Sequence, residues 1–131
     1  MKAGVQTADG VLWVDLEAEE IVSVDGGARL PPASTFDVSL PRVITATGSG
    51  STVIALVDRR PPLVVSYDAG RTWSEAGGGL PAGRAVAVAS DNPDIVLFAA
   101  RNRLYLSRDG GRFWRALVLE IPAIEAIELF K

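Results

Sequence analysis

Cysteine and histidine are both absent from this chain of 131 residues. Without cysteine the chain can form no disulfide or iron–sulfur cluster and can carry out no thiol chemistry. Without histidine it lacks the commonest general base and the commonest zinc ligand, which excludes Ser-His-Asp triads and histidine-based metalloprotease sites. Neither a phosphate-binding glycine loop nor another metal-binding motif is present, so we expect no cofactor and no metal.

An excess of one charge and long apolar runs are also missing. The net charge of -3 is too small to draw the whole molecule to nucleic acid or to an anionic membrane. No apolar run approaches the roughly 20 residues that span a bilayer. The sequence turns polar by Gln6 and Thr7, so no signal peptide is visible. We therefore expect a cytoplasmic single domain that binds neither nucleic acid nor membrane.

What the chain does contain is an eight-residue segment that recurs. Its pattern is Ser-x-Asp-x-Gly-x-x-Trp over residues 66–73 and 107–114, which start 41 positions apart, and residues 23–30 anticipate it with Leu30 in place of the Trp. A period of about 40 residues is typical of propellers and solenoids, in which each repeat is one supersecondary unit.

We interpret each copy of the repeat as a structural hairpin turn. The Asp can accept backbone N–H bonds, the Gly permits a positive φ, and the Trp can pack between sheets. The residues to which we assign this structural role are Ser23, Asp25, Gly27, Ser66, Asp68, Gly70, Trp73, Ser107, Asp109, Gly111 and Trp114.

Short apolar runs stand at matched distances around the three copies and predict β-strands. Within each unit, one strand leads directly into the copy, another precedes it, a third begins near Leu30, Trp73 or Trp114, and a fourth follows a proline-marked loop. Apart from the strands that begin near Leu30, Trp73 and Trp114, the predicted strands cover residues 11–16, 20–23, 42–47, 54–59, 63–66, 84–89, 95–100, 104–107 and 124–130. The sequence therefore predicts an all-β domain over residues 1–131, made of three four-stranded antiparallel units.

The repeat resembles the Asp-box, or bacterial neuraminidase repeat, of β-propellers. Residues 66–73 match it in full, whereas Phe113 stands where Thr is usual and Leu30 where Trp is usual. The motif occurs in sialidases, xyloglucan-active glycoside hydrolases, sortilin-type receptors and photosystem II assembly factor propellers. The resemblance implies three propeller blades with the repeats in a structural role, away from the active face. Residues 80–107 look most like the non-sialidase members.

Three blades are too few to close a ring, since propellers have roughly four to eight. We expect two chains to form a six-bladed β-propeller as a homodimer, in which the segment 124–130 of one chain completes the first blade of its partner. Two alternatives stay open, namely a fragment of a longer propeller and a self-contained three-bladed protein.

We expect function on the face opposite the repeated turns. Guanidinium groups on that face suit carboxylate or phosphate ligands, which predicts a site for an anionic ligand or a protein partner. The six residues are Arg42, Arg59, Arg60, Arg84, Arg101 and Arg103. The equivalent loop of the first unit carries Glu17, Glu19 and Glu20, so we expect a face of mixed charge. The leading prediction is a non-catalytic binding or scaffold module without catalytic residues.

The alternative is a glycoside-hydrolase-like protein related to sialidases or xyloglucanases. Two carboxylates roughly 5–10 Å apart can hydrolyse a glycosidic bond, and the candidates are Asp15 with Asp58 and Glu125 with Glu128. The segment 29–31 resembles the Arg-Ile-Pro motif of sialidases, but it overlaps the first repeat. Asp at strand ends usually caps turns, so we expect no enzyme. A third possibility is a structural fragment without a function of its own.

Overall fold

Three four-stranded antiparallel sheets make up the protein in a computed structural model. The structure describes residues 1–31, 36 and 38–130, and this part of the chain contains no helix, so none that could cross a membrane. The prediction of an all-β chain with three four-stranded antiparallel units is thereby confirmed. The strands of the described residues are β1 (Lys2–Thr7), β2 (Gly10–Asp15), β3 (Glu20–Gly26), β4 (Val43–Ser49), β5 (Thr52–Val57), β6 (Leu63–Ser66), β7 (Ser74–Ala76), β8 (Ala85–Ala89), β9 (Asn92–Ala99), β10 (Leu104–Ser107), β11 (Arg115–Ala116) and β12 (Ala126–Phe130).

The second and third sheets each consist of four consecutive strands. Their orders are β4-β5-β6-β7 and β8-β9-β10-β11, with every neighbouring pair antiparallel. β6 and β10 coincide with the predicted strands 63–66 and 104–107. Each is a short run of apolar residues that ends at the serine of the repeat, so the pattern marks both of its ends.

The first sheet is assembled differently, because it joins the two ends of the chain. Its order is β12-β1-β2-β3, and β12 pairs with β1 of the same chain from Lys2 opposite Phe130 to Gln6 opposite Ala126. Residues 1–10, for which we predicted no strand, supply β1. Pairing of the terminal segment with a partner chain would therefore require the two chains to exchange β12.

The first copy of the repeat differs from the predicted turn. Ser23 and Asp25 lie within β3, and the ladder between β2 and β3 continues to Gly26, opposite Gly10. The copy therefore runs extended through Gly26 and turns only after it, where the Ala28 N–H donates to the Asp25 carbonyl at 3.2 Å and Gly27 has φ 79°. Leu30 is not in a strand, and the predicted outer strand runs on into residues 32–35, which lie outside the described residues.

The third sheet lies between the other two. Its β8 contacts both β12 and β4. One apolar core joins the first and third sheets and includes Val5, Leu97 and Leu104, while a second core joins the second and third sheets around Leu56 and Phe98. These five side chains are fully buried. The opposite face of the second sheet packs against the apolar side chains of Val38 and Leu40, which precede β4 in the same chain.

Candidate functional site

The second and third sheets are stacked so that their matching ends lie together. The Ser49 hydroxyl donates to the Ser90 carbonyl at 2.9 Å, which joins the β4–β5 turn to the β8–β9 turn. The Tyr67 hydroxyl donates to the Gly110 carbonyl at 2.9 Å, which joins residues 66–73 to residues 107–114. We call these two segments the first and second Ser–Asp turns, and their end of the sheets the turn end.

All six predicted arginines lie at the other end of these two sheets, which we call the arginine end. Arg42 precedes β4, and its carbonyl accepts the Asp58 N–H at the far end of β5. Arg84 precedes β8, and its backbone N–H donates to the Ala99 carbonyl at the far end of β9. The other four arginines lie in the β5–β6 and β9–β10 loops at the same end, namely Arg59, Arg60, Arg101 and Arg103.

Most of these guanidinium groups face solvent. Arg103 forms an ion pair with Glu120 at 3.7 Å, and the Arg42 guanidinium donates to the Asp58 carbonyl at 3.4 Å. Arg59, Arg60 and Arg101 are exposed, and none of the ion pairs among the described residues involves them. Arg59 borders a cavity of only about 140 Å³. Since small-molecule pockets usually have about 300–1,000 Å³, the arginine end suits a surface contact with a larger anionic group.

The acidic loop of the first sheet does not lie among these arginines. Glu19 accepts hydrogen bonds from the Arg115 guanidinium of β11 and from the Val118 N–H just beyond that strand, and Arg115 follows directly after the second Ser–Asp turn. The Arg115 guanidinium is also the main reason why the pKa of Glu19 lies below its usual range. Glu17 forms an ion pair with the N-terminal amine of Met1. The prediction that this loop would mix with the arginines is therefore wrong.

The first sheet contributes a different carboxylate to the arginine end. The Ile124 N–H donates to the Arg101 carbonyl at 2.7 Å, which brings the start of β12 to the β9–β10 loop. Glu125 follows directly and forms an ion pair with Arg29 at 3.3 Å. Arg29, from the segment that resembles a sialidase motif, is thus matched by a carboxylate of its own chain.

The carboxylates proposed for glycoside hydrolysis are dispersed. Asp15 ends β2 at the turn end, where it accepts the Ala18 and Glu17 N–H groups, and these bonds lower its pKa. Asp58 lies at the arginine end, so the structure does not bring these two residues together. Among the described residues, no group of three or more acidic side chains could hold a metal ion.

A shallow groove runs between the inner strands of the three sheets. It has a volume of about 220 Å³ and is lined by β4, β8 and β12. Glu128 is its single ionisable lining residue, next to Thr47, Ser90 and apolar side chains. One carboxylate without a second one beside it offers no acid–base pair for glycoside hydrolysis.

The first Ser–Asp turn is held by its serine, its aspartate and its indole. The Ser66 hydroxyl donates to Asp68 at 2.7 Å and accepts the Gly70 N–H at 2.8 Å. Asp68 also accepts the Thr72 hydroxyl at 2.6 Å and the Thr72 N–H at 2.8 Å. The Trp73 indole donates to the Gly70 carbonyl at 3.1 Å. The Thr72 hydroxyl and N–H hold the pKa of the Asp68 carboxyl far below its usual range.

The second Ser–Asp turn repeats this arrangement without the bond from a threonine hydroxyl. The Ser107 hydroxyl donates to Asp109 at 2.8 Å and accepts the Gly111 N–H at 2.9 Å. Asp109 accepts the Phe113 N–H at 3.0 Å, and this bond contributes most to lowering its pKa. Phe113 has no hydroxyl with which to replace the bond of Thr72. The Trp114 ring packs edge-on against Phe98 in the core between the second and third sheets, with centroids 6.1 Å apart.

Comparison with protein-family models and with curated proteins gives no match. Function is therefore inferred from the residues of this chain alone. Reasoning from the sequence grouped the six arginines but overlooked the side chains beside the second Ser–Asp turn. The available signal was the difference between the two turns at positions that do not hold the turn, such as Thr72 and Phe113.

Proposed function

We propose that this chain is a non-catalytic binding module with β-propeller architecture, whose arginine end binds an acidic segment of a partner protein. The main supporting observation is that six arginines lie at matching positions of two stacked sheets. Three of them, Arg59, Arg60 and Arg101, are exposed and take part in none of the ion pairs among the described residues. Guanidinium forks bind carboxylates through paired hydrogen bonds. The cavity that Arg59 borders, of about 140 Å³, is small for a small-molecule ligand, which favours an extended partner.

The propeller architecture is supported by the arrangement of the second and third sheets. Their four consecutive strands, their stacked matching ends and their two Ser–Asp turns are what the Asp-box resemblance leads one to expect of neighbouring blades. We propose further that two chains assemble into a ring of six sheets. Such closure would bring the first sheet of one chain against the second sheet of the other, where Val38 and Leu40 now pack. Light scattering that finds only monomers at micromolar concentration would contradict the ring.

Binding to the arginine end is tested with a fluorescein-labelled polyglutamate peptide, followed by anisotropy at low salt. We expect the double variant Arg59→Ala/Arg101→Ala to bind at least about tenfold more weakly than the unmodified chain, because two exposed charges are lost from the contact. Raising the salt concentration should weaken the binding of the unmodified chain.

The matched control is Arg71→Ala, which removes an exposed charge at the turn end. Its affinity for the peptide should stay within about twofold of the unmodified chain. An equal loss in Arg71→Ala and in the single variant Arg59→Ala would show that only net charge matters. Full binding by the double variant would refute a site at the arginine end.

A further inference from the structure

A second surface stands out when the two Ser–Asp turns are compared. A groove of about 290 Å³ lies beside the second turn, lined by Leu106, Arg108, Asp109, Phe113, Trp114 and Arg115. We call it the second-turn groove. It lies at the turn end, away from the six arginines of the proposed partner site.

The residues that hold the turn are the same in both copies, but the other groove residues differ. The serine, aspartate, glycine and tryptophan make equivalent hydrogen bonds in the two turns. At the remaining positions, Arg108 stands where the first turn has Tyr67, and Phe113 stands where it has Thr72. Arg115 takes the place of a serine. A fixed scaffold with altered side chains around one groove is the arrangement expected of a binding site built on a turn.

Phe113 contributes little to the fold at this position. Its side chain is 78% exposed, whereas Thr72 uses the equivalent position to bond Asp68. The second turn therefore lacks one hydrogen bond of the first and presents a phenyl ring to solvent. Aromatic rings bind other flat rings through their faces and edges, so Phe113 offers a stacking surface next to the indole of Trp114.

The charges around this ring favour an anion. Arg108 is exposed and appears in none of the ion pairs among the described residues. Arg115 is bound to Glu19, and Asp109 directs one carboxylate oxygen into the turn. Arg112 lies close by, with its guanidinium stacked 4.3 Å above the Tyr67 ring. Arg112 does not line the groove, and its guanidinium also donates to the Asp109 carbonyl at 2.6 Å. The Arg108 guanidinium is thus the lining cation that is left to bind an anion.

We propose that the second-turn groove binds a small anion that carries a flat aromatic ring. The ring lies against Phe113, and the anionic group is held by the Arg108 guanidinium, whose planar fork matches a carboxylate. The volume of about 290 Å³ is at the lower limit for ligand pockets and admits one or two fused rings. The groove is open to water, so we expect dissociation constants in the high-micromolar to millimolar range.

The test uses three probes and follows backbone amide NMR shifts of the full chain. 2-Naphthoate has both the ring and the charge, 2-naphthalenemethanol has only the ring, and acetate has only the charge. We expect 2-naphthoate to shift the amides of residues 107–115 and to bind at least about fivefold more tightly than either of the other probes. Equal binding of naphthoate and naphthalenemethanol, or no shifts in residues 107–115, would overturn the proposal.

Two variants separate the ring from the charge. Phe113→Thr introduces the residue type that the first turn has at this position. This variant should bind 2-naphthoate about fivefold or more weakly. Its urea midpoint should show that it still folds. Arg108→Ala should bring the affinity for naphthoate down to that for naphthalenemethanol, while Arg60→Ala at the arginine end should leave it unchanged. Unaltered naphthoate binding in Phe113→Thr would overturn the proposal. So would concentration-dependent dimerisation that Phe113→Thr abolishes, because Phe113 would then serve contact between chains.

Discussion

Replacing Phe98 and Phe113 separately by Ala removes the same side chain from two very different surroundings. Phe98 is fully buried and contacts Tyr105 and Trp114 edge-on, with ring centroids 5.9 and 6.1 Å away. Phe113 is 78% exposed. Truncation of a buried Phe costs about 3–5 kcal/mol, whereas truncation at an exposed surface position usually changes stability by less than about 0.5 kcal/mol.

Urea unfolding followed by tryptophan fluorescence measures both changes. With a urea dependence of about 2 kcal/mol per molar, Phe98→Ala should lower the midpoint by about 2 M and Phe113→Ala by less than about 0.3 M. The loss for Phe98 is a large part of the 5–15 kcal/mol typical of a domain. Equal midpoints for the two variants, or a loss below about 1 kcal/mol for Phe98→Ala, would refute the stacking of the second sheet on the third.

Three further predictions concern the turns and the packing between sheets. The pKa values of Asp68 and Asp109 are lowered on folding. The stability that these two carboxylates contribute is therefore complete above the unfolded pKa near about 4 and is lost as the pH falls further. Urea midpoints should drop in acid, and they should drop less steeply in Asp68→Asn. Ala69 has φ 61° where the second turn has Gly110 with φ 75°, so Ala69→Gly should raise the free energy of unfolding by up to about 1 kcal/mol in urea titrations. Gly83→Ala would place its Cβ 2.5 Å from a buried leucine side chain, and calorimetry should show a loss of about 1–3 kcal/mol.

The repeat made two of the three sheets predictable from the sequence. It fixed the starts and ends of β6 and β10, because an apolar run and a serine bracket both strands. Strands β4, β5, β8 and β9 lie within a few residues of the predicted segments, since apolar residues mark their middles better than their ends. The grouping of the six arginines at one end followed from the same register, because residues one period apart occupy the same place in neighbouring sheets.

The first sheet was harder to predict because its strands lack a simple alternating pattern. In β1 both faces are covered. The polar side chain of Gln6 is buried as well, and its amide group donates hydrogen bonds to the carbonyls of Thr7, Gly10 and Ala28. The buried positions also include Gly4. A strand made of Ala, Gly, Val and Gln has neither a period of two nor a high β-propensity. Only the tertiary contacts reveal it.

The pairing of β12 with β1 has a consequence for how the protein folds during synthesis. The second and third sheets are built from neighbouring segments, so their contacts are local and can form while the chain is still being made. β1 has β2 as a neighbour at once, but its other edge stays unpaired until residues 126–130 have left the ribosome. An open strand edge invites pairing with other chains. Until β12 pairs with it, the open edge of β1 is therefore a place where the incomplete first sheet can aggregate.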